Sequence, residues 1–489
     1  MIYHSTRDEK LTAAPTRAVL EGIAPDGGLY VCDPGKLDFD WQGTLQKDTM
    51  SMAADILGAL LPDFQDMNGL VRASYAGKFA SDDLTPLVPV GERYVLELYH
   101  GPTSAFKDMA LQMLPQLLSA ALRKTGEDKT VCILVATSGD TGKAAMEGFA
   151  DVPQTKILVF YPKDGVSAVQ EAQMVTQEGE NVGVCAVVGN FDDAQAGVKR
   201  IFSDEAIRAT LADRGFFLSS ANSINWGRIL PQVVYYISAY CDLLRDGKIA
   251  MGQKVNFCVP TGNFGDILAA YYAGRMGLPV GRLICASNRN DVLTDFLRTG
   301  VYDRNRPFHT TMSPSMDILV SSNLERLLFD LSGENDEEVR GYMAALAKDG
   351  KYEGSDAIKA ALAEQYWGGF CDEEGTAATI AKYYQEHGYL IDTHTAVAFD
   401  ALEQYRSETG DQTPCIVVST ASPFKFCDSV LSALGEEEKQ NGLELLDELS
   451  EKTGMPAPKP LASLRDKEIR FTQTVEKDHM VDAVLGMLE

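Results

Sequence analysis

The sequence predicts an α/β protein in which parallel strands form layers covered by helices. Short apolar, β-rich runs at 131–136, 157–161 and 182–188 recur at about 25-residue intervals, with helical stretches between them, as βαβ units do. A second set at 255–259, 283–286 and 416–419 extends the pattern along the chain. Glycine-bearing loops follow these strands, where a parallel sheet opens its ligand crevice.

The 489 residues predict roughly three domains at about 150 residues each. Residues 1–85, with a helical patch at 50–61 and turn signals at Asp26-Gly27-Gly28 and Pro62-Asp63, read as an accessory N-terminal domain. Residues 86–430 read as the α/β core, in two subdomains. Within it, about 325–410 reads as a helical acidic insertion whose charges sit on solvated faces. Residues 431–489, with Pro456-Ala457-Pro458-Lys459-Pro460, suggest a linker and a terminal appendage.

Hydrophobic residues make up 45% of the chain and charged residues 23%, the balance of a chain that folds by burial. The net charge of −26 repels phosphate backbones and anionic headgroups, so neither nucleic acid nor a membrane is expected as a partner. Nine scattered cysteines without a C-x-x-C pair fit free thiols in a reducing compartment. The first ten residues lack the apolar core of a signal peptide, and a cytoplasmic location is expected. Six isolated histidines form no ligand motif, and no metal is expected.

Three stretches carry the candidate chemistry. Thr137-Ser138-Gly139-Asp140-Thr141-Gly142 joins a strand to a helix, and its free amides suit a carboxylate or phosphate, or simply cap the helix. Pro260-Thr261-Gly262-Asn263-Phe264-Gly265-Asp266 is placed likewise, ahead of a helix at 267–276. It is neither a Walker A loop nor a dinucleotide fingerprint, and reads as a phosphate cradle or a tight turn. In His100-Gly101-Pro102-Thr103-Ser104-Ala105-Phe106-Lys107-Asp108, Lys107 stands between apolar Phe106 and Met109 at a helix start. Burial and the helix dipole there disfavour the ammonium form, which makes Lys107 a candidate nucleophile; a snorkelling lysine is the plainer alternative. Pro115 predicts a kink or break near Leu114 in the helix that follows. A Schiff-base lysine, a phosphate cradle and a carboxylate cradle are together the parts that a pyridoxal-phosphate enzyme acting on an amino acid requires.

These residues resemble the threonine synthase family, in its longer subgroup with an added N-terminal domain, within the fold type II, tryptophan-synthase-β-like pyridoxal-phosphate enzymes. The resemblance runs over nearly the whole chain. Ser5-Thr6-Arg7 and the 22–30 segment look like the family's opening, and 100–108 looks like its cofactor-lysine motif. Segments 138–142, 220–225, 262–266 and 420–426 follow in the family's order.

By this resemblance Lys107 would bind pyridoxal 5′-phosphate covalently. Gly262, Asn263, Phe264, Gly265 and Asp266 would hold the cofactor phosphate, and Thr420 would hydrogen-bond the pyridine nitrogen. Ser138, Gly139, Asp140 and Thr141 would bind the substrate carboxylate. Asn222, Asn225 and Arg228 are candidates for the phosphate of the substrate, O-phospho-L-homoserine; a surface ion pair is the alternative for Arg228. The implied reaction yields L-threonine and phosphate in a monomer or homodimer, in an electropositive pocket set within an acidic surface. Two departures stand out. Ser422 lies where the family often has histidine, and Lys143 follows the 138–142 loop where a small residue is common and is expected to face solvent. Rival readings are a serine or threonine dehydratase, a cysteine synthase, or a non-catalytic threonine-synthase-like protein.

Overall fold

The computed structural model describes residues 1–137, 139–436 and 442–488. Along the chain, β1 (Tyr3–Ser5), β2 (Thr12–Ala13) and β3 (Tyr30–Val31) form a small antiparallel sheet. A hairpin of β4 (Leu87–Val90) and β5 (Arg93–Glu97) precedes β6 (Thr130–Ala136), β7 (Thr155–Pro162), β8 (Val182–Val188) and β9 (Phe216–Ser219). Next come β10 (Val255–Pro260), β11 (Val280–Ser287), the paired β12 (Val301–Asp303) and β13 (Lys351–Glu353), β14 (Tyr366–Phe370), β15 (Cys415–Ser419) and β16 (Thr474–Glu476).

Two larger sheets result. One, ordered β16-β8-β7-β6-β9, is parallel throughout; the other, ordered β14-β11-β10-β15-β5-β4, is parallel except for β4. The six strands expected from the sequence are all present. Their near-continuous burial, as along Val255–Pro260, is what a sheet covered on both faces requires.

Three expectations need correction. The stretch 325–410 is not a helical insertion: it supplies β14, which pairs with β11 as an edge of the six-stranded sheet, and a helix, Thr393–Thr409, packed on that sheet. The C-terminal residues are not an appendage. β16 completes the five-stranded sheet beside β8, and Met480 and Val484 join the core around Leu134 and Phe160. Finally, of the kink or break expected near Leu114, the break is absent: the helix Lys107–Thr125 runs on through Pro115.

The N-terminal segment shares an apolar core with the rest. Tyr3, Leu57 and Leu60 pack in one cluster with Leu114, Trp226 and Tyr240. Buried Arg326 fastens the join: it donates to the carbonyl oxygens of Tyr30 (3.0 Å) and Ile224 (2.6 Å) and stacks over Trp226.

Candidate active site

Lys107 opens the helix Lys107–Thr125 with 8% of its surface exposed. Its Nζ lies 3.4 Å from Ser315 Oγ, 3.9 Å from Asp140 Oδ2 and 4.6 Å from the Phe106 ring centre. Burial is the main force on this amine and brings its pKa down to about 8; Asp140 opposes the change, while Lys425 and Arg228 add to it.

The turn after β10 reaches the same place. Phe264 takes a left-handed φ of 64°, and the helix Gly265–Arg275 starts directly after it. The carbonyl oxygens of Gly262 and Asn263 are turned outward, accepting from Ser321 Oγ (2.8 Å) and from the Asn323 amide (3.1 Å). The amides of Gly262, Asn263, Phe264 and Gly265 donate to no acceptor among the described residues. They form an anion cradle at a helix N-terminus. A Cβ at Gly262 would come within 2.7 Å of Ser315 O, so glycine is what lets the Ser315 turn close against this loop.

Asp266 sits beneath the cradle. Its Oδ1 accepts from the hydroxyls of Tyr235 (2.5 Å) and Tyr236 (2.6 Å), and burial raises its pKa to about 6.

The end of β15 forms another wall. Thr420 O accepts from the Phe106 amide (2.8 Å), Ser422 N donates to Ser104 O (3.0 Å), and the Thr420 hydroxyl bonds to no described residue. In the loop after β6, Thr137 Oγ1 accepts from the amides of Gly139 (3.0 Å) and Gly142 (2.9 Å). The Thr141 hydroxyl and amide have no acceptor among the described residues. Ser138 lies outside the described residues.

A model of pyridoxal-phosphate-dependent enzymes matches residues 83–421, with models of the threonine synthase N terminus and C-terminal region at 2–87 and 395–484. Saccharomyces cerevisiae threonine synthase is 35% identical over 99% of this chain and 97% of its own. The chain belongs to the threonine synthase family. Pyridoxal-phosphate-bound threonine synthase from Brucella melitensis superposes with a TM-score of 0.87 at 36% identity, covering 100% of both chains. Human threonine synthase-like 1 is 39% identical over 86% of this chain, which spans 58% of that relative's length.

As a threonine synthase family member, the protein takes pyridoxal 5′-phosphate, and the residues present fit it. The fit rests on three features: an amine with lowered proton affinity, and, unpartnered among the described residues, a row of amides on a helix start and the hydroxyl of Thr420.

Arg228 is 3% exposed and pairs with no carboxylate among the described residues, which rules out the surface ion pair. It donates through Nη1 to Ala221 O, its Nε is buried without a partner among the described residues, and burial lowers its pKa to about 10. Around Lys107, the cationic groups Lys425 and Arg228 stand against the carboxyl groups of Asp140 and Asp266.

Other candidates stand differently. Asn225 is spent on the fold: its Oδ1 caps the helix Trp226–Arg245 at the Gly227 amide, and its Nδ2 donates to Val19 O (3.0 Å). Asn222 is exposed. The Asp140 side chain faces Lys107 and two other donors, a poor partner for a substrate carboxylate. Lys143 does not face solvent: at 4% exposure it bonds to Glu147 (3.0 Å) and to Gln177.

Sequence reasoning missed two neighbours of Lys107 and a residue that supports one of them. Ser315 had no local signal. Lys425, within the quoted 420–426 motif, had no role assigned. His394, whose Nε2 accepts from the Ser315 amide (3.2 Å) and whose Nδ1 bonds to Asp392 (2.8 Å), supports the Ser315 turn from behind.

Proposed function

We propose that this protein converts O-phospho-L-homoserine and water to L-threonine and phosphate. The carrying observation is Arg228, a buried guanidinium with no carboxylate partner among the described residues, near a lysine that has a separate anion cradle beside it. A dehydratase acting on serine needs one anion site for the cofactor phosphate and one for the substrate carboxylate; a phosphorylated substrate needs a further one.

In this reading Lys107 binds the cofactor, the amides of Gly262, Asn263, Phe264 and Gly265 hold its phosphate with Asp266 nearby, and the Thr420 hydroxyl meets its ring nitrogen. The bound cofactor supplies an electron-withdrawing ring that makes the substrate's Cα and Cβ hydrogens acidic. Lys107 Nζ accepts the proton from Cα and then from Cβ, a task matched by a pKa of about 8. The 138–141 loop orients the substrate carboxylate, with the Thr141 hydroxyl and amide its best-placed donors. Arg228 holds the phosphate that leaves Cγ. A hydroxyl from water joins Cβ, and protons return to Cγ and Cα. Closure of the two sheet layers around the site keeps water out until phosphate has left.

The protein works on this small molecule as a monomer or homodimer, with neither nucleic acid nor a membrane as partner. A cytoplasmic setting is supported by nine free, buried cysteines. Among the described residues, no helix is long and apolar enough to cross a membrane. Purified enzyme given phosphohomoserine should release phosphate and threonine in equal amounts and leave serine unchanged. Keto acid from serine would favour a dehydratase, and bound cofactor without turnover a non-catalytic relative.

A further inference from the structure

Lys107 lies at one end of a buried row of alternating charge. Asp140 Oδ2 is 3.9 Å from Lys107 Nζ, and Asp140 Oδ1 is 2.7 Å from Lys425 Nζ. Lys425 is fully buried; its ammonium also donates to Thr103 O (3.0 Å), and Gln170 Nε2 donates to Asp140 Oδ1 (3.0 Å). One carboxylate is therefore shared by two ammonium groups, with a neutral amide fixing its orientation.

The three charges come from different parts of the fold. Lys107 begins the helix after β5, Asp140 begins the helix after β6, and Lys425 closes the short turn after β15. The row thus ties a loop of the five-stranded sheet to two loops of the six-stranded one.

We propose that Lys425 and Asp140 are paired positioning residues for Lys107, with Lys425 holding the Asp140 carboxylate so that it steadies a proton on the Lys107 nitrogen without capturing it. This rests on the reading that Lys107 binds the cofactor. A carboxylate without Lys425 would form a full ion pair with Lys107 and would oppose an anionic substrate entering beside it. A lysine without Asp140 would face Lys425 and Arg228 with only the weaker countercharge of Asp266. The groups facing Lys107 are Asp140, Lys425, Arg228 and Asp266, each from a different element, so the balance has two settings that substitution can move in opposite directions.

The test uses the holoenzyme and its visible cofactor absorbance, titrated with pH without substrate. Lys425→Gln should raise the midpoint by about 1 pH unit, and Asp140→Asn should lower it by about as much. The double variant should return closer to the unsubstituted enzyme than either single change. With phosphohomoserine, Lys425→Gln should also raise KM more than it lowers kcat, because the released Asp140 charge meets the incoming anion. Shifts in the same direction, or no shift in either variant, would overturn the proposal. If Lys425→Gln fails to fold, Asp140→Asn alone decides: a midpoint that stays or rises is fatal. The absorbance needs only the cofactor on Lys107, so this result is independent of which substrate the enzyme takes.

Discussion

Gly148 lies against the carbonyl oxygen of Leu111, so closely that a Cβ on it would come within 1.8 Å of that oxygen. Pro115 explains the opening: lacking an N–H, it leaves the Leu111 carbonyl without its usual helical partner, and the helix Asp140–Phe149 packs into that place. Both helices begin at the active site, one with Lys107 and the other with Asp140. Gly148→Ala should therefore force them apart, costing about 1–3 kcal/mol of stability and lowering kcat. Thermal unfolding together with steady-state kinetics would show both effects.

Lys107→Ala removes the amine while leaving the cradle at 262–265 intact. The variant should retain no cofactor after borohydride reduction and denaturation, and should make no threonine. Mass spectrometry of the reduced protein reads the first outcome, and amino-acid analysis of the reaction the second.

Arg228→Gln keeps a hydrogen-bonding side chain but loses the charge and the fork. Bonds to charged groups are worth about 1.5–3 kcal/mol, so kcat/KM for phosphohomoserine should fall by about 10- to 150-fold. Cofactor absorbance should persist. A kinetic comparison at fixed cofactor occupancy checks this.

Cofactor capture should depend on pH through Lys107. The reacting species is the neutral amine, and burial moves its pKa from 10.5 down to about 8. The rate at which cofactor-stripped full-length protein captures pyridoxal phosphate should therefore climb as pH rises through about 8 and level off above it. An ordinary exposed lysine would still be climbing at pH 10. Stopped-flow absorbance across this range measures the midpoint.

The buried parallel strands were legible because their apolar runs are continuous; Val182–Val188 was read to the residue. β14 was not, because Tyr366-Trp367-Gly368-Gly369-Phe370 carries two glycines inside an acidic, helical stretch. The glycines have a packing cause: a Cβ on Gly368 would lie 3.0 Å from Thr294 Cα, so the residue that weakens the strand signal is the one that admits the neighbouring helix. At the site, Lys107 and the turn at 262–265 announce themselves through local pattern. Ser315 and Lys425 acquire their positions only when distant loops meet, and no short-range pattern encodes that. Lys143 misled in part for the same reason: Glu147 stands one helical turn on, but Gln177 lies beyond the next helix, and a lysine beside a glycine loop looks solvated until that residue is placed.

Arg326 reaches from the catalytic body to the backbone of both Tyr30 and Ile224, the latter a few residues before Arg228. A trimmed enzyme beginning near β4 would lose one of these acceptors, together with the Tyr3 and Leu57 packing behind Trp226. The first eighty-odd residues are thus a foundation under the wall that carries Arg228, and protein engineers seeking a minimal catalyst should expect pruning there to damage turnover before it reaches Lys107 or its neighbours.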